Sequence, residues 1–228
     1  MQKTNSPARI TARFVSILFH PVFVPTMVYA FLLLCSPDFF FGVPAKYQTY
    51  WTFWLFHHKF ETPMWLVIIS YITITFPLLV VFLLWRLKFI DSMLMQGTNE
   101  RYGPLIASML FYFWTFWLFH HQFQAPMLLQ SFLLGVFLTT VFLFLATIFF
   151  KISLHAGAWG SVVVFAISCM FHNIHLSALL TLLSILIAGC VGASRLYLQA
   201  HEKRQLYSGY IVGAIGQLLA YLICKTFI

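Results

Sequence analysis

Acidic side chains are nearly missing from this chain. Five Asp and Glu stand among 228 residues, against 13 Lys and Arg, and charged residues of both signs make up only 8%. The surface of a small soluble domain is roughly 25–35% charged, so a water-facing globule is excluded. Cysteine is scarce as well. Cys35, Cys169, Cys190 and Cys224 show no CxxC spacing, which excludes a disulfide framework and a zinc ribbon; small buried hydrophobes is the better description. No Gly/Ser-rich or charged linker interrupts the sequence, so residues 1–228 are expected to form a single membrane domain. The net charge of +8 does not require nucleic acid. In an apolar chain it places Lys and Arg in loops beside anionic headgroups.

What fills the chain is apolar. It is 61% hydrophobic and 19% aromatic, with 27 Phe, and several runs approach the ~20 apolar residues that cross a bilayer. The fold class predicted is all-α, a polytopic transmembrane helical bundle of about six to seven spans. The runs cover residues 14–35, 64–85, 104–119, 127–150, 158–170, 176–193 and 210–227. Lys3, Arg9 and Arg13 precede the first run in the manner of a signal peptide. No small-residue cleavage pattern follows, so a retained helix is expected, kinked by Pro21 and Pro25.

One internal repeat is present. Residues 51–64 and 114–127 match at 11 of 14 positions, both opening Trp-Thr-Phe-Trp-Leu-Phe-His-His. Each copy ends where a spanning run begins, and its Trp and Phe suit the interfacial belt. A metal site built from His57, His58, His120 and His121 is the sharper idea, weakened because adjacent helical histidines point in different directions.

The polar residues are unevenly distributed. With seven spans, the connections at 86–103, 151–155 and 194–205 share the face of the N-terminus, and the termini lie on opposite sides. That face holds ten of the Lys and Arg, against Lys46, Lys59 and Lys225 on the other. The positive-inside rule makes it cytoplasmic. Ionisable groups at membrane depth are functional candidates, and the stretch at 194–205 is the densest such cluster.

Three short patterns lie in those connections. Ser194-Arg195, five residues, His201, then three residues and Gln205 form one. Ile152-Ser153-Leu154-His155 and Glu100-Arg101-Tyr102-Gly103-Pro104 are the others. The set resembles, in order and spacing, the signatures of the type-2 phosphatidic acid phosphatase superfamily, in the form of its short bacterial members. The likeness covers residues of about 96–205, and the phosphatase-like core would be about 88–228. Gln205 stands where that family has Asp. No Lys lies seven residues before Arg101, where Gln96 is the nearest polar residue, and Pro104 is displaced. The resemblance implies His201 as a nucleophile that becomes phosphorylated and His155 as the acid. Gln205 would orient His201, and Arg195, Arg101, Ser153 and Ser194 would hold the phosphate. It implies no metal and no cofactor.

The chemistry can be stated without the family. Phosphoryl transfer needs cations around the equatorial oxygens, a nucleophile and an acid. Arginine forks suit phosphate, and neutral histidine can attack phosphorus. The Gln205 carbonyl can accept the His201 N–H four residues away, although it brings no negative charge. The resemblance implies, as substrate, a lipid phosphate or diphosphate entering from the bilayer of a bacterial inner membrane. Five side chains, Arg101, Ser153, His155, Arg195 and His201, are expected around one cavity. Three alternatives stay open. The pocket could bind a lipid phosphate without turnover. The same residues also fit histidines and cations at helix ends. Nine histidines suggest a haem or quinone protein, but bis-His haem needs histidines facing each other from two helices, and these cluster at helix ends.

Overall fold

The spans are not simple rods, and the sites where they break position everything that follows. The computed structural model describes residues 6–36, 39, 51–52, 59–60, 63–92, 97 and 99–227. Among the described residues, seven helices are long and apolar enough to cross a membrane. The protein is an all-α, multi-pass membrane bundle.

Helix α1, Pro7–Leu18, starts on Ser6, whose side chain accepts the Arg9 N–H, with Pro7 in the first turn. A short 3₁₀ turn, Pro21–Phe23, separates it from α2, Val24–Cys35. The first span therefore begins earlier than the hydropathy run, and Pro21 breaks it outright. Strands β1, Trp51–Thr52, and β2, Lys59–Phe60, make a two-residue antiparallel pair. The second span joins α3, Pro63–Ser70, through a π turn, Tyr71–Thr75, to α4, Phe76–Arg86. Pro77 has no N–H to bond four residues back, and the wider π turn absorbs the mismatch. A 3₁₀ turn, Asn99–Arg101, leads into α5, Tyr102–His121. Helices α6, Met127–Phe149, α7, Leu154–Phe171, α8, Ser177–Tyr197, and α9, Lys203–Phe227, complete the bundle.

The helices run further than the apolar sequence does. His155 lies in the first turn of α7, Arg195 in the last turns of α8 and Gln205 in the first turn of α9. All three fall in stretches the sequence reads as connections. Polar side chains end a hydropathy run, but a helix end tolerates them readily because it lies near the water interface. The repeat diverges in structure: the first copy opens in β1, while 114–121 is the C-terminal part of α5. His57 and His58 lie outside the described residues. Among the described ones, His120 bonds Gln130 through Nδ1 at 2.8 Å, and its ring meets that of His121 at 4.5 Å.

Helix α9 packs most closely, against α6 and α7. Gly209, Gly213 and Gly216 form the contact stripe, as the small-residue spacing predicts. A Cβ on Gly209 would come 2.6 Å from the Ser153 carbonyl oxygen, and one on Gly213 would overlap the Gly157 carbonyl. The obstacle at Gly213 is backbone, which cannot swing aside as a side chain can. Gly213→Val is expected to cost ~3 kcal/mol or more, the upper end for overpacking. Thermal unfolding in detergent measures it, and an unchanged midpoint would mean that α7 and α9 can part there.

Candidate functional site

The α8–α9 turn is built by backbone hydrogen bonds. Gln199 takes a left-handed conformation, φ 53°. Gln199 N–H bonds the Leu196 carbonyl at 2.9 Å and Ala200 N–H bonds the Arg195 carbonyl at 3.1 Å. This is a Schellman ending with Gln where Gly is usual. It delivers His201, only 7% exposed, close beside the end of α8. Gln205 then closes the start of α9. Its Oε1 accepts the Glu202 N–H at 3.3 Å and bonds His201 Nδ1 at 3.1 Å. The first bond is the returning half of a capping box, so Gln205 holds the helix start and the imidazole with one oxygen. A carbonyl only accepts, so Nδ1 carries the proton and Nε2 presents a bare lone pair.

The break in the first span supplies the other half. Pro21 offers no N–H to Ile17, and His20 N–H turns to the Ile17 carbonyl at 3.2 Å. The Ser16 and Phe19 carbonyls are thereby released from the helix ladder, and buried carbonyls need partners. Helix α7 provides them one turn apart: His155 Nε2–H donates to the Ser16 carbonyl at 3.0 Å, and Trp159 Nε1–H to the Phe19 carbonyl at 3.1 Å. The Ser16 hydroxyl lies 3.5 Å from the same His155 nitrogen and accepts from Arg195 Nη1 at 2.9 Å. Ser16 thus ties α1 to α7 and α8 together. Arg195 Nε is buried without a hydrogen-bond partner among the described residues.

A cavity of about 240 Å³ opens between the α1–α2 break and helices α4, α5, α6 and α7. His20, Arg101 and His155 line it together with the hydroxyl residues Ser108, Thr139, Thr140 and Ser161; Pro25, Val81 and Leu143 belong to its apolar wall. Of the five expected side chains, this cavity takes two. Arg101 and His155 line it, whereas Ser153, Arg195 and His201 do not. The two serines have other work. Fully buried Ser153 caps α7 by accepting the Ala156 N–H at 3.4 Å. Ser194 donates to the Cys190 carbonyl one turn back at 2.8 Å. The connections still converge: Ser153 N–H bonds the Gln205 carbonyl at 3.2 Å, joining the start of α7 to that of α9.

Electrostatics links the groups as well. Burial pushes the His201 imidazole down to about 4; its bond to Gln205 opposes the shift, and the charges of Arg195, Arg101 and Lys151 add to it. Removing an ionisable group from water disfavours its charged form, and nearby cations do the same to an imidazolium. His201 is therefore neutral at pH 7.

Ser16 and His20 were missed by motif reading. The available signal was a histidine directly before a proline inside an apolar run, which marks a broken span whose freed backbone groups must be satisfied by neighbours. Among the described residues, no group of three or more His, Cys, Asp or Glu could hold a metal ion. No family model, curated protein or solved structure matches the chain.

Proposed function

We propose that this protein is a membrane phosphatase-like protein that hydrolyses a lipid phosphate or diphosphate through a phosphohistidine on His201. The observation that carries this reading is the state of His201: neutral, fixed by Gln205 in one tautomer, with Nε2 unbonded among the described residues and three cations in electrostatic range. In the first step Nε2 bonds to phosphorus as the P–O bond to the lipid alcohol breaks. The departing alkoxide takes a proton from water. A second water then cleaves the P–N bond, releasing inorganic phosphate and restoring the neutral imidazole. Arg195 and Arg101 balance the charge on the phosphoryl oxygens. The apolar cavity is smaller than the ~300 Å³ at which pockets enclose a drug-sized ligand. It would take a segment of one chain and leave the rest in the bilayer. With Arg101, Lys151 and Arg195 set aside for phosphate, seven Lys and Arg on that face against three on the other support a site facing the cytoplasm; the membrane proposed is a bacterial inner membrane.

A second reading, binding without turnover, is favoured by His155. In its neutral form His155 has one proton, and that proton is given to the Ser16 carbonyl. It is not available to a leaving group, and Gln205 brings no anion to stabilise an imidazolium. Phosphate release by purified protein, with EDTA present and a panel of lipid phosphates and diphosphates, separates the two readings.

Gln205→Glu sharpens the test. Glutamate keeps the length that lets one oxygen reach both His201 and Glu202, and it adds a negative charge. If His201 is the nucleophile, phosphate release is expected to rise about tenfold, ~1.4 kcal/mol of transition-state stabilisation. A folded variant that still binds lipid phosphate and releases none would favour the non-catalytic reading.

A further inference from the structure

His20 sits at the break between α1 and α2, on the cavity wall with Arg101 and His155. It caps the short 3₁₀ turn: its Nδ1 accepts the Val22 N–H at 3.3 Å. A nitrogen that accepts has no proton of its own, so the ring's proton is on Nε2. The ring packs edge to face on His155, with centroids 5.0 Å apart. Its Nε2–H has no hydrogen-bond partner among the described residues. His155, the other histidine on the wall, is in the opposite condition, with its N–H committed to Ser16. His20 thus brings a preset donor to a cavity whose remaining wall is mostly apolar and which Arg101 also lines.

We propose that His20 is a ligand-binding residue, donating Nε2–H to a headgroup or ester oxygen of a phosphate amphiphile whose chain lies in the cavity. The proposal rests on reading this region as a lipid-phosphate site. No proton is transferred. A neutral imidazole that lost its only proton would become an imidazolate, so the ring acts as a hydrogen-bond donor and orients the ligand. It would act as a neutral partner to the arginine, adding one hydrogen bond to an oxygen of the same ligand.

The probe is dodecyl phosphate, titrated calorimetrically into the purified protein in a maltoside detergent. His20→Ser keeps an oxygen able to accept the Val22 N–H and removes the donor. His20→Phe keeps a ring against His155 and removes the donor. Each is expected to bind at least about tenfold more weakly, the size of a hydrogen bond to a charged acceptor. Wild-type affinity in either folded variant overturns the proposal and leaves the lipid-phosphate reading standing. Wild-type protein that does not bind the probe overturns both. Should neither variant fold, the wild type decides. Carbethoxylation of His20 by diethyl pyrocarbonate, mapped by mass spectrometry, is expected to slow with dodecyl phosphate bound; equal labelling with and without it overturns the proposal.

Discussion

In His201→Ala, phosphate release from a lipid phosphate is expected to fall at least about 10³-fold, to background, while the amphiphile still binds. Loss of a nucleophile removes the covalent route altogether, and losses of this size or larger follow in enzymes that depend on one. Binding survives because Arg101 and Arg195 do not depend on the imidazole for their charge. The pH profile gives an independent check. His201 is depressed to about 4, and only its neutral form has a lone pair to attack with. The rate at low substrate should therefore hold as pH falls through 6 and drop near 4, since that limb reports the free protein's essential base. The same shift has a sign for stability. The unfolded chain takes up a proton near 6.5 and the folded protein only near 4, so stability is lost as pH falls through that window and changes little below it. Activity persisting in His201→Ala, or an acid limb near 6.5, would remove the phosphohistidine mechanism.

Arg195→Met is expected to weaken dodecyl phosphate binding about tenfold or more and to lower turnover by about 10²–10³, the usual loss when a preorganised transition-state donor is removed. The guanidinium lies in the last turns of α8, where the helix carbonyls favour a cation. One nitrogen is held by the Ser16 hydroxyl at 2.9 Å, and Nε is buried with no partner among the described residues. A buried, unmatched N–H is costly, and an anionic oxygen arriving there would satisfy it. Arg195→Lys restores the charge without the planar fork and should recover only part of the affinity. Ser16→Ala removes the tether alone. It is expected to cost less than Arg195→Met, and the difference separates holding the arginine from using it. Wild-type affinity in folded Arg195→Met would make the arginine a structural tie between α1 and α8.

The spans and the glycine stripe of α9 were legible in the sequence because each follows from local composition. An apolar run cannot be left in water, and residues three or four apart share a helix face whatever surrounds them. The pairing of Gln205 with His201 was legible for the same reason of spacing. Which side chains meet across the bundle was not. Pro21 announces a break, but only the packing of α1 on α7 and α8 determines that the released Ser16 and Phe19 carbonyls are taken by His155 and Trp159. That choice commits the proton of His155, brings Arg195 to Ser16 and leaves His20 with the uncommitted N–H on the cavity wall. The hydroxyls of Ser153 and Ser194 were drawn inward by the neighbouring backbone, which in a membrane must be satisfied by the protein itself. Composition and spacing set the spans and the local pairs along them, though not where α1, α7 and α9 begin. Packing across the bundle sets which polar groups hold the helices together and which stay uncommitted among the described residues. Hydrogen-bond partners distant in sequence are set by packing, which periodicity does not encode.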